Sequence, residues 1–166
     1  MIRNVLSDLW VFIILLLLQV FLLSRIHLFG VATPLLIIYF VIRFRRDTPI
    51  WYMLISSFLL GLITDVFLNT PGVGAGSMTF AAMIHPFALN LFTTRESAED
   101  LKPGFQTLGS TKYFTFCLIL VAVFCALFFT LEAFSFFNIL LWIECFIGST
   151  ALTLILVLAI ANLRKH

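Results

Sequence analysis

The chain has 166 residues, of which 62% are apolar, 16% aromatic and 11% charged, and its net charge is +2. Soluble domains carry about 25% charged residues, and a water-soluble core of this length could not bury so much apolar surface. The composition therefore excludes a soluble domain and implies one integral membrane unit, residues 1–166, with no second domain.

A helix that crosses a bilayer needs about 20 predominantly apolar residues, and six segments are read against that length. The first spans about 7–23, with Asp8 near its start and Gln19 within. No small-residue cleavage site follows it, so it is expected to stay as a membrane helix. The second, about 31–44, is short; Pro34 suits a first helical turn, and Arg43, Arg45 and Arg46 close it. The third, about 50–68, starts after Pro49. The fourth, about 75–92, contains His85 followed by Pro86, which is expected to kink it. A polar stretch over 93–110 is the one long hydrophilic connection. The fifth spans about 112–131 and the sixth about 136–163, with Glu144 inside; the sixth is long enough to tilt. The predicted fold is an all-α six-transmembrane-helix bundle.

Charge placement orients this bundle. With the amino terminus in the cytoplasm, Arg3, Arg43, Arg45, Arg46, Arg95, Lys102, Lys112, Arg164 and Lys165 lie inside, and Arg25 alone lies outside, as the positive-inside rule demands. Both termini are then cytoplasmic and the outer connections are short.

Few side chains in the apolar segments could carry chemistry. Asp65 is the sharpest. A charged residue at a bilayer centre costs roughly 2.5–3.5 kcal/mol, and less toward the interface. Gly61, Asp65 and Asn69 are spaced by four and stack on one helix face, extended by Ser57 and Thr64, while Phe58, Leu62, Ile63 and Phe67 form the opposite face. Two readings of Asp65 stand: a buried contact that fixes a helix pair or a partner, or a cap on the next backbone turn. The run from Thr70 to Gly76, with Pro71, Gly72 and Gly74, lacks the Lys of a phosphate loop; its glycines suit a tight turn and close helix approach. Ser77, Ala81, His85 and Ala88 give segment four a small-residue face that can pack on the Asp65 face.

Gln19, His85 and Glu144 are candidate intramembrane polar contacts. His85 reads as a proton relay or as one interhelical hydrogen bond. Glu144 calls for a basic partner, since exposure of its carboxylate to lipid is costly. The basic cluster Arg43, Arg45 and Arg46 reads either as a site for anionic head groups or a cytoplasmic partner, or as a topology signal alone. Cys117, Cys125 and Cys145 read as small apolar residues. No catalytic set, metal-ligand spacing or cofactor motif stands in the sequence, so the expectation is a protein that is not an enzyme and takes no cofactor and no nucleic acid.

Two stretches carry a resemblance. Pro34 to Phe40 followed by the arginine cluster, and Gly61 to Phe67 with Pro71, Gly72 and Gly74, are similar in order and spacing to the rod shape-determining protein MreD family. That family shows a proline before a short apolar helix ending in Tyr and Arg, then a G-L-L-x-D-hydrophobic run and a P-x-G-x-type turn. Length and hydropathy agree over nearly the whole chain; the specific match is confined to 34–76. Many members carry an acidic residue directly after the early proline, where this chain has Leu35, so no role of that acid is carried over. The resemblance implies a fold similar to the substrate-binding subunits of vitamin ECF transporters. It implies a non-enzymatic scaffold subunit of the bacterial cell-elongation complex in the inner membrane. The implied partners are MreC and, through the complex, MreB and the peptidoglycan polymerase and transpeptidase. Gly61, Asp65, Pro71, Gly72 and Gly74 would be structural or partner-contact positions. The alternative is a vitamin-type binding subunit of a transporter, which would need a polar cavity near Gln19, Asp65, His85 and Glu144.

Overall fold

A computed structural model describes residues 2–22, 34–93, 102–133 and 138–163. Arg25, Arg95 and Arg164 to His166, and the first residues of the sixth predicted segment, lie outside them. The described residues form seven α-helices: α1 (Ile2–Leu17), α2 (Ile38–Ile42), α3 (Ile50–Leu68), α4 (Val73–Phe92), α5 (Phe105–Leu108), α6 (Ser110–Ala133) and α7 (Ile139–Leu163). A π-helical turn, Leu18–Leu22, continues α1. No strand occurs among the described residues.

Three helices are long and apolar enough to cross a membrane: α3 with 19 residues, α6 with 24 and α7 with 25. At 1.5 Å per residue, α6 and α7 are about 36–38 Å long, more than a hydrocarbon layer of about 30 Å. They mark the chain as a membrane protein. Their outward faces carry large apolar side chains, such as Phe58 and Phe67 on α3 and Leu140 and Ile155 on α7, which suit lipid. The helices pack in sequence: α3 on α4, α4 on α6, α6 on α7.

The predicted second segment, about 31–44, departs most from expectation. Its described part is helical only over Ile38–Ile42, and Leu36 and Ile37 form a turn before it. Leu35 to Ile42 are all buried, and α2 touches α1, α3, α4 and α6. A run that is apolar all round has no polar face to present and sinks into the middle of the bundle. Non-helical backbone at such depth must find partners inside the protein. Here side chains from both ends of the chain supply them. Leu36 N–H donates to Gln19 Oε1 at 2.9 Å, Gln19 Nε2 donates to the Pro34 carbonyl at 3.1 Å, and Leu35 N–H donates to Thr153 Oγ1 at 3.1 Å.

The helix α4 runs unbroken through Pro86. The polar connection after it contains the single turn α5, whose Phe105 ring lies 4.7 Å from that of Tyr113 on α6.

Candidate functional site

The α3–α4 hairpin is built around Asp65. On α3, Ser57, Leu60, Gly61, Thr64 and Asp65 are buried, while Phe58, Leu62 and Phe67 on the other face are exposed. That is the division the four-residue spacing implies. Helix α3 then stops at Leu68, and Asn69 takes the left-handed conformation at φ 58° with its N–H on the Asp65 carbonyl. Asn accepts that conformation more readily than most residues. The helical periodicity ends there, so Asn69 does not join the buried stripe; it is exposed and turns the chain. Pro71 and Gly72 are exposed at the tip, and Gly72 has φ 84°.

The Asp65 carboxylate reaches across this turn to the start of α4. Its Oδ1 accepts from Gly74 N–H at 2.8 Å and from the Thr70 hydroxyl at 3.1 Å, and its Oδ2 accepts from Ala75 N–H at 2.9 Å. The first N–H groups of a helix have no partner within the helix, and the helix dipole makes that end favourable for an anion. The carboxylate therefore finds its donors inside the hairpin, where it is only 2% exposed. Both readings of Asp65 meet in this arrangement, because capping α4 from α3 is what fixes the helix pair.

Two glycines let the helices come close enough. A Cβ on Gly61 would stand 2.6 Å from the Gly74 carbonyl oxygen and 2.7 Å from Ala75 N, which are backbone atoms that cannot swing aside. A Cβ on Gly74 would stand 2.5 Å from Asp65 Oδ1. Small residues on α4, including Ser77, Ala81 and Ala88, continue the contact, as close-packed membrane helices require.

The other candidate side chains lie apart from this centre. Gln19 holds the Pro34–Leu36 backbone. His85 is 1% exposed, edge-on to Phe44 and Phe116 at 6.5 and 5.5 Å between ring centres. Neither ring nitrogen makes a hydrogen bond among the described residues, although the Ile42 backbone reaches the ring. Glu144 is exposed on α7, beside Leu140, Leu141 and Ile147. It stands in the second turn of α7, about 7–8 Å along the axis from the helix start, where the cost of a charge is already falling. Gln19, Asp65 and His85 are thus buried inside the bundle, whereas Glu144 is exposed on α7.

The arginine cluster is divided. Arg43 turns inward, donating to the Ser7 hydroxyl at 2.7 Å and carbonyl at 3.4 Å and standing 3.4 Å from Asp8. It ties the start of α1 to the end of α2. Arg45 and Arg46 are half-buried beyond it. Two contributors escaped the sequence: Thr153, a polar residue in an apolar helix with nothing local to explain it, and Ser7, a short side chain at the edge of the first apolar run.

Comparisons with protein-family models, curated proteins and solved structures find no match.

Proposed function

We propose that this chain is a non-enzymatic scaffold subunit of the bacterial cell-elongation complex, a six-span protein of the inner membrane that resembles MreD and binds MreC. One observation carries the reading. The residues that bear the resemblance in the second stretch, Gly61, Asp65 and Gly74, form one device that closes the α3–α4 hairpin. Pro71 and Gly72 stand exposed at the tip of the same hairpin. A rigid hairpin with a small exposed tip supplies a docking point without a soluble domain, and its rigidity lowers the entropy lost on binding. MreB and the wall-synthesis enzymes would be reached through the complex rather than by direct contact at this tip.

The test is purification of the tagged full chain from its own cells in mild detergent, with mass spectrometry of the proteins that accompany it. Recovery of MreC, and its loss with Asp65→Ala at equal yield of the chain, is the expected result. Recovery of an ATPase pair with a large membrane coupling subunit would overturn the reading in favour of a carrier subunit. Unchanged MreC recovery and cell shape with Asp65→Ala would remove the hairpin from the contact.

A further inference from the structure

Of the three helices able to cross a membrane, α7 is the least covered by its neighbours among the described residues: 28% of its apolar stretch is buried, against 33% for α3 and 44% for α6. It packs mainly on α6. Its free face reads Leu140, Glu144, Ile147, Ala151 and Ile155, at intervals of three and four, and all five are exposed. Glu144 is the one charged residue of α7. The last turn of the helix reaches the basic end of the bundle, where Ala161 shares a pocket wall with Arg43 and Lys102. Glu144 stands 19 residues before Leu163, about 28 Å along the axis. With Leu163 at the near edge of a hydrocarbon layer of about 30 Å, the carboxylate sits just inside the far edge.

We infer that this face of α7 docks a membrane helix of another protein, one that carries Arg or Lys at the level of Glu144. Beyond its effect on the neighbouring Cys145 thiol, Glu144 has no hydrogen bond or ion pair among the described residues. Lys112, the one basic residue of the α6 helix on which α7 packs, stands at the opposite end of α6. A carboxylate on a lipid-facing surface is costly, and charges in membrane helices pair with one another. Arg and Lys are the complementary groups, because their stems run along apolar surface while the charge stays near the boundary. The rest of the face is apolar, and the short side chain of Ala151, two turns further on, lets another backbone approach. Glu132, near the end of α6, acts on the same Cys145 thiol but has contacts of its own, so it serves as a control and not as part of the site. A second copy of this chain fits less well: a two-fold pair brings the same patch of both copies together and sets Glu144 against Glu144. A lipid ammonium meets the carboxylate alone and makes no use of the gap at Ala151. The inference needs only that the chain spans a membrane; it is independent of the elongation-complex reading.

The experiment places the full chain, labelled with a fluorophore at its carboxyl terminus, in phosphatidylcholine vesicles. The probes are acceptor-labelled leucine-alanine peptides that span the bilayer and carry Arg, Gln, Glu or Leu one turn inside one end. Energy transfer reads association. The Arg peptide is expected to bind about tenfold more tightly than the Leu peptide, the scale that polar contacts between model membrane helices reach. Glu144→Gln should lose that preference, Glu144→Asp should keep most of it, and Glu144→Lys should reverse it toward the Glu peptide. Ala151→Leu should weaken the Arg peptide by filling the gap, whereas Phe87→Ala, on the exposed face of α4, should change nothing. Glu144 and Ala151 are exposed, so these variants keep the bundle folded, which an unchanged thermal midpoint checks. Equal losses in Glu144→Gln and Glu132→Gln would show a diffuse acidic end and overturn the site. So would a wild type that binds the Arg and Leu peptides equally. An Arg preference that vanishes when phosphatidylethanolamine replaces part of the phosphatidylcholine would make a lipid ammonium the occupant and overturn the partner helix. Energy transfer between two copies of the chain that Glu144→Gln abolishes would assign the face to self-association and overturn it as well.

Discussion

Asp65 is held by backbone donors, so its contribution to the fold can be separated from its charge. Asp65→Ala leaves Gly74 and Ala75 N–H buried without acceptors, at about 1–3 kcal/mol for each group. Asp65→Asn keeps one carbonyl oxygen at the α4 terminus and should lose about half as much, since amides also cap helices. Thermal unfolding of the purified chain should therefore rank wild type above Asp65→Asn above Asp65→Ala. Equal midpoints for all three would show that the carboxylate stabilises nothing. Two glycines of the hairpin, Gly61 within α3 and Gly72 in the turn, should fail for different reasons. Gly61→Ala drives a Cβ into backbone of α4, an overpacking cost of about 1–3 kcal/mol that spreads the hairpin. Gly72→Ala meets no atom within 4 Å and suffers only from φ 84°, about 1–2 kcal/mol. A double variant with Asp65→Ala separates them: Gly61→Ala should be far from additive with it, because both act on the same contact, and Gly72→Ala closer to additive. The spacing of Gly61 and Asp65 made this face legible in the sequence. Which donors the carboxylate would meet was not, because that depends on where α3 stops and how Asn69 turns the chain.

At the level of the element, the segment from Pro34 to Ile42 shows how little a uniform apolar run reveals. Without periodicity, a buried irregular segment and a membrane helix look alike, and Tyr39 and Phe40 fit either. What decides between them is distant in sequence. Leu35 N–H meets Thr153 across 118 positions and Leu36 N–H meets Gln19 across 17. Neither polar side chain announces its partner. Gln19→Leu removes an acceptor from Leu36 and a donor from the Pro34 carbonyl; Thr153→Val removes the acceptor of Leu35 while keeping the shape of the side chain. Each should lower stability by about 1–3 kcal/mol, read as a shift in thermal midpoint. Hydrogen exchange should then rise at Leu35 and Leu36 in both variants while the Asp65 hairpin stays protected. Protection unchanged at those two amides would mean that the side chains do not hold the segment.

For the whole molecule, the question is which helices cross the bilayer. Helices α3, α6 and α7 qualify by length and hydropathy; α4 does not, although its 20 residues span about 30 Å. The difference follows from its place between α3 and α6. Its outer face still carries exposed Phe80, Met83, Phe87 and Leu91, but its buried positions include Gly74, Ala75, Ser77, Ala81, His85 and Ala88, small or polar residues that suit close helix contact. Hydropathy alone therefore underrates it, whereas a six-span chain requires it to cross. Phosphatase fusions test this directly, because α4 is the one long helix among the described residues between Thr70 and Thr107. If α4 crosses with the basic end inside, a fusion after Thr70 is exported and active, and one after Thr107 is retained and inactive. Equal activity at both sites would leave α4 on one side of the membrane. The hairpin tip would then stand on the same side as Arg43 and Lys102, and the six-span topology together with an outward docking tip would fall.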